Sequence, residues 1–284
     1  ALTGHQVDGE ELLEKLLKSK KENKFFRLFD NINTSVILNL NKIYLEKNSY
    51  LEKITGDFDI NNNKLFLAKV DAILENKKKF SYSYRTTIKN EKITNIIIEE
   101  PKPFINNYKF IKGFSDGKLE YTSNYDDKSS VSNLKILNFK VKDVPALAKL
   151  LSLASLQGIA DLLTGEGIRF SEFEMDATTK DNLMTIDEIY AIGPAISILM
   201  SGYIEKEKLI SLRGTLVPAT TVNKTIAKIP LIGKILVGKK VGEGVFGVSF
   251  KIKGPPKDLK TTVNPIKTLT PRFITRTLEK LKKN

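Results

Sequence analysis

The chain contains no cysteine and no tryptophan, and its one histidine is His5. Without thiols there is no cysteine nucleophile, no disulfide and no cysteine-based zinc site. A lone histidine cannot assemble a typical zinc site or catalytic triad, so His5 reads as a surface residue. Lack of cysteine leaves the compartment open, since a periplasm or a cytosol would suit such a chain. Long hydrophobic runs are also missing. A membrane-crossing helix needs about 20 consecutive apolar residues. The longest apolar stretch, from Ala191 to Ile204, is shorter and carries Gly193, Pro194 and Gly202. No charged start with an apolar middle marks a signal peptide. The chain opens at Ala1 in mid-pattern, and it reads as the C-terminal fragment of a longer protein, with any anchor or signal upstream.

What is present is enough for a large core. The chain has 284 residues, 41% of them hydrophobic, which suits one long β domain or two smaller ones. The net charge is +13, from 46 Lys and Arg against 33 Asp and Glu. Such an excess attracts anionic phosphates of lipid or nucleic acid. It also fits a simple compositional bias, because Lys, Asn and Ile recur throughout and the lysines are spread rather than clustered.

The hydrophobic period changes along the chain. Asp8 as N-cap with Glu11 three residues on, then Leu12, Leu13, Leu16 and Leu17, predicts a first helix that ends in the lysines of 18–24. From Thr34 to Glu99 the period is two. Val36, Leu38 and Leu40 share one face, and Ile54, Phe58 and Ile60 another. Phe66, Ala68, Val70 and Ala72 follow, and then Phe80, Tyr82 and Tyr84. Asn61, Asn62 and Asn63 mark a turn. Closely spaced strands with short polar turns predict an antiparallel meander with one apolar face. Pro101 and Pro103 stop it, and "PFINNYKFIKG" predicts a short helix ended by Gly113. Strands resume after an Asp116–Gly117 turn. Pro145 opens one long helix near 145–163, whose broad apolar face carries Leu147, Leu150, Leu151, Ala154, Ile159 and Leu162. Gly165 and Gly167 end it. Four strands, "IRFSEFEMDA", "NLMTIDEIYA", "AISILMSGYI" and "LISLRGTLV", come next. Further helices are expected near 221–238 and 270–283, with "GVFGVSFKIKG" between them as a strand.

The expected fold is thus mostly β with a few helices. Roughly thirteen strands, at about 4.8 Å each, would make an open sheet on the order of 60 Å wide, and sheets of that size curl or split. A curled, elongated antiparallel sheet, U-shaped, with amphipathic helices at its C-terminal end, fits the pattern. Residues 1–112 form a first section and 113–284 a second.

Candidate reactive motifs fail on context. Gly242, Gly244 and Gly247 spell a GxGxxG fingerprint and even its kinase form. A dinucleotide loop must open a helix, and a kinase needs a large catalytic region downstream. Here a strand-like "VSFKIKG" follows, so a tight turn or bulge is expected. The acidic pairs Glu99–Glu100 and Asp126–Asp127 are sequence neighbours that point apart in a strand, and they read as turn or solvated-face residues. Ser155, Ser171 and Ser197 lack a nucleophile elbow. No enzyme, cofactor or metal site is expected. Phe80, Tyr82 and Tyr84 suit cross-strand packing better than base stacking, so nucleic acid is not an expected partner.

The C-terminal helix places Phe273, Ile274, Leu278 and Leu281 on one side, with Arg272, Arg276 and Lys280 around it. That is the pattern of an interfacial helix on anionic lipid, and equally of a helix capping the end of a sheet. The stretch holding Ile229, Leu231, Ile235 and Leu236 reads the same way.

The succession "VPALAKLLSLASLQGIADLLTGEGIRFSEFEMD", "GPAISILMSGYI", "LRGTLVPATTVN", "IPLIGKILVG" and "GEGVFGVSFKIKGPPKDLKTTVNPIKTLTPRFITR" resembles the C-terminal region of the AsmA-like superfamily, most of all its YhdP-type branch. The resemblance covers about Gly113 to Arg276. It implies a large envelope protein, anchored in the inner membrane and extending through the periplasm, similar to bridge-like lipid transfer proteins. It implies phospholipid as cargo, the membrane surface and envelope proteins as partners, and no catalytic residues. On that view a long β-groove is lined by Val36, Leu38, Leu40, Phe58, Ile60, Phe66, Val70, Phe80, Tyr82 and Tyr84.

Overall fold

In the computed structural model, alternation of side chains sets nearly every element. The structure describes residues 2–8, 33–46, 49–61, 64–105, 113–218 and 247–266. The protein is mostly β, with 70% of the described residues in strands and 11% in helices. The strands are β1 (Leu2–Asp8), β2 (Thr34–Glu46), β3 (Ser49–Asn61), β4 (Lys64–Leu74), β5 (Lys79–Thr86), β6 (Lys92–Ile98) and β7 (Gly113–Tyr125). Then come β8 (Ser130–Lys142), β9 (Ile168–Lys180), β10 (Leu183–Ile192), β11 (Ile196–Glu205), β12 (Leu209–Pro218), β13 (Gly247–Gly254) and β14 (Lys260–Ile266). Three helices are described: α1 (Lys102–Ile105), α2 (Pro145–Leu153) and α3 (Gln157–Thr164). The 14 strands form one open sheet in strict chain order. None of the helices is long and apolar enough to cross a membrane.

The meander expected from the period of two is present, with one addition at its start. β1 lies parallel to β2, with Leu2 opposite Leu38 and Asp8 opposite Tyr44. Asp8 is thus the last residue of a strand that the sequence pattern did not announce. The first helix expected after it lies outside the described residues. The turns rest on residues that enter the left-handed region at low cost or are forced there. Lys77, Asn90, Asp127, Asp181 and Glu207 each take a positive φ in a hairpin connection. The asparagine turn falls where expected, since Asn61 pairs with Lys64 across it.

Three expectations are corrected. Asp116 and Gly117, at φ 62 and 88, lie inside β7 and kink it rather than separating two elements. A Cβ at Gly117 would stand 2.9 Å from Cβ of Phe139 on β8, so the close approach requires glycine as well. The helix after Pro101 is a single turn, with the amides of Phe104 and Ile105 donating to the Pro101 carbonyl. Gly113 opens β7, and residues 106–112 lie outside the description. Finally, the long helix is two. Ser155, at φ 58, takes the left-handed C′ position, the Leu156 amide donates to the Leu151 carbonyl at 2.9 Å, and that of Ser155 donates to Ser152 at 3.0 Å. This is a Schellman ending with serine where glycine is usual.

By internal contacts the chain divides into two compact units, Ala1–Phe139 with Thr178–Asp181, and Lys140–Ala177 with Asn182–Asn284. In the second, Leu150, Leu151, Ala160 and Leu163 are buried on α2 and α3. These two helices pack together, and α2 also packs against β14. Leu216 and Val217 are both fully buried on β12. Strand neighbours face opposite ways, so both faces of β12 are covered at this end.

In the first unit, β2 and β7 stand five strands apart, about 24 Å in a flat sheet. Yet α1, a single turn about 6 Å long, packs against both. The sheet is therefore curled within this unit.

Candidate functional site

The curled face of the N-terminal unit is built row by row from the strand register. Val36 stands opposite Phe58, Phe58 opposite Ala68, Ala68 opposite Tyr84, and Tyr84 opposite Thr94. The next row joins Leu38, Gly56, Val70, Tyr82, Ile96 and Tyr121. A third joins Leu40 to Ile54, and Ala72 to Phe80, Ile98 and Leu119. Directly opposite residues share a face. Eight of the ten residues assigned to the groove from sequence therefore line one surface, and Ile60, opposite Thr34, joins them as the ninth.

Phe66 does not. The β3–β4 register shifts beyond Asp59, leaving Leu65 opposite Ile60, and Phe66 stands 48% exposed. It borders a shallow recess with Asn33, Ser35 and Asp59 instead.

Coverage along the face is graded. At one end Leu45, Leu51, Ile54, Ala72, Leu74 and Ile98 form a buried cluster. Leu38, Leu40, Val70, Phe80, Ile96 and Leu119 pack against it, as does Phe104 of α1. The Phe104 ring stacks on Phe80 at 5.5 Å. This end is a packed core, closed by α1. Toward the other end the large side chains Val36, Phe58 and Tyr84 are only half-buried, although Ala68 and Ile60 among them are buried, and their row finishes in Thr94 and Ser123. Gly56 shapes the floor between. A Cβ there would lie 2.7 Å from the Phe58 ring, so glycine lets that ring fold over the strand. Burial raises the Tyr82 hydroxyl above its ordinary 10.0, and the Tyr84 phenol adds to the shift. Its neutral form belongs to a desolvated wall.

Sequence periodicity missed the closing cluster for a definite reason. Lys53 takes a left-handed φ of 52 within β3, and the register against β4 shifts there. Beyond it the inward parity reverses, so Leu51 and Leu45 fall outside the even-numbered pattern. The apolar run Ile96–Ile98 and Phe104 after two prolines were the available signals.

The opposite face is mostly polar, with Ile37, Leu67 and Ile97 exposed on it, and several of its charges are paired. Ser35 donates to Asp59 at 2.6 Å, Ser81 donates to Asp71 at 2.9 Å, Lys69 pairs with Asp71 at 3.3 Å and Lys118 with Glu120 at 2.7 Å. At the loops, Glu99 accepts from the Lys79 amide at 2.8 Å, and Glu100 accepts from Asn76 at 3.0 Å. Asp126 accepts from the amides of Ser129 and Lys128, which lower its pKa, while Asp127 holds Lys92 and Asn90. Both acidic pairs are loop staples, as their adjacency suggested. No group of three or more metal-binding side chains occurs among the described residues.

The remaining sequence-assigned residues lie outside the described ones. These are Ile229, Leu231, Ile235, Leu236, Arg272, Phe273, Ile274, Arg276, Leu278, Lys280 and Leu281, together with Gly242 and Gly244. Gly247 opens β13.

The class the fold defines is a serial, open antiparallel-type sheet with a curled apolar face. Comparison of the chain with protein-family models, curated proteins and solved structures finds no match.

Proposed function

We propose that this chain is a non-enzymatic lipid-conduit segment of the cell envelope, shielding phospholipid acyl chains in its curled β-face between inner and outer membranes. The observation that carries the reading is the graded face of the N-terminal unit. Each acyl CH₂ kept from water is worth about 0.8 kcal/mol. A surface of half-buried Val36, Phe58 and Tyr84, fed by every second residue of each strand, supplies that shielding. Headgroups would stay in water beyond the polar row ends at Thr94 and Ser123. The AsmA-like resemblance gives the periplasmic setting and the expected inner-membrane anchor.

The test is lipid content. The purified chain should carry co-extracted phospholipid and take up a labelled one, and Val36→Asp with Phe58→Asp, at the half-buried end, should lower the load. Lipid-free protein that takes up none overturns the reading.

A second reading, a structural or assembly module that binds an envelope protein, is favoured by the closed cluster around Phe104 and Leu45. It predicts partner capture that survives Val36→Asp with Phe58→Asp.

A further inference from the structure

The polar face of β12, β13 and β14 carries charge of one sign. These strands hold Arg213, Lys251, Lys253 and Lys260 and no Asp or Glu. The register sets them against one another. Arg213 is directly opposite Lys251, and Lys253 is directly opposite Lys260. Lys251 and Lys253 are two apart on one strand, so all four share a face. All four are exposed, and among the described residues no carboxylate pairs with any of them.

Like charges directly opposite destabilise a strand pair. Three strands at about 4.8 Å spacing place the four within roughly a Debye length at physiological salt, so water and ions screen them only in part. The nearby acids relieve this only at the Arg213 edge. Asp187 and Glu188, at the β10 bulge, line a recess with Arg213 and offset part of its charge alone, while Asp258, in the β13–β14 loop, makes no ion pair among the described residues. Ser211, opposite Lys253, and Thr262, opposite Lys251, add hydroxyl donors to the same face. Cations interleaved with hydroxyls match phosphate oxygens.

We infer that this face of β12–β14 is a docking surface for an anionic phospholipid membrane. The chemistry selects the occupant. A sheet face offers cations as a two-dimensional array, as a headgroup layer requires. Among the described residues no helix or ribbon projects from this face to enter a nucleic-acid groove. β12–β14 themselves present no exposed ring, since Phe250 is buried, and Tyr203 of β11, exposed opposite Ser211, is a single ring at the margin rather than a run that stacks successive bases. The surface is independent of the apolar face proposed above, so a protein that carries no lipid would still bind vesicles through it.

The test is sedimentation of the full chain with vesicles of phosphatidylglycerol and phosphatidylcholine, against phosphatidylcholine alone. Binding is expected only to the anionic vesicles and should weaken as salt rises. Each cation near such a surface contributes about 1 kcal/mol, or roughly fivefold in affinity. The pair Arg213→Gln and Lys251→Gln should therefore lose on the order of 25-fold, and neutralising all four should lose most of the binding. Neutralising the exposed loop lysines Lys77, Lys78, Lys89 and Lys128 instead should leave most of it. Unchanged binding by the four-site variant, equal binding to neutral vesicles, or binding to single-stranded DNA but not to vesicles would each overturn the assignment. The double variant keeps the test open if the four-site variant misfolds.

Discussion

The polar faces of the two units use the same strand arithmetic and treat charge in opposite ways. In the N-terminal unit cations meet acids across and along the strands, as in Lys69–Asp71 and Lys118–Glu120. On β12–β14 of the C-terminal unit cations meet cations. The buried sides differ too. β12 is covered on both faces at Leu216 and Val217, whereas the N-terminal unit grades from a closed cluster to a half-covered wall. Exposed ion pairs contribute only about 0–1 kcal/mol each, so neither pattern is needed to hold the fold. Burial holds it, and this frees the polar faces to differ.

The largest effect should come from the doubly covered core. Leu151→Ala, or Leu216→Ala, should cost about 2–5 kcal/mol in chemical denaturation, because both side chains are fully buried. A loss under about 1 kcal/mol would mean that this core is not closed. The N-terminal unit should show its gradient next. Ile54→Ala at the closed end should cost about 2–4 kcal/mol, and Val36→Ala at the half-buried end about 1 kcal/mol or less. Equal losses in paired melts would erase the distinction between plug and wall.

Ser155→Gly should stabilise the C-terminal unit by about 1 kcal/mol, since glycine takes the left-handed cap without a Cβ clash. A loss on urea denaturation would show that the serine side chain is needed there. The smallest effect is titrational. The Tyr82 pKa is raised in the folded state, first by burial. Its contribution to stability is thus complete below pH 10 and is lost as pH rises through the higher folded value. Ultraviolet titration should show a late-ionising tyrosine component that shrinks in Tyr82→Phe. A wild type whose tyrosines all ionise together would mean an open, hydrated wall.

The alternation of Val36, Leu38 and Leu40 made the wall legible, because a period of two has only one way to face a core. Left-handed residues hid the rest. Lys53 reverses inward parity, and Ser155 ends a helix without announcing it, since neither residue type signals that backbone conformation. Asp116–Gly117 carried the right signal with the wrong scope, a kink rather than a turn. β1 could not be anticipated from a seven-residue segment, Leu2–Asp8, whose pairing partner lies beyond Thr34. The cation ladder was invisible for another reason. Arg213 and Lys251 are 38 positions apart, and only the register makes them neighbours.

The strict chain order of the sheet has a consequence for assembly. From β2 onward the expected addition is always to the strand just laid down, so loop-closure entropy stays small at each step and folding can follow the chain as it emerges. β1 alone must wait for a later partner. A sheet grown in this way has a length set by the number of hairpins, and evolution can lengthen or shorten it two strands at a time without rerouting the chain.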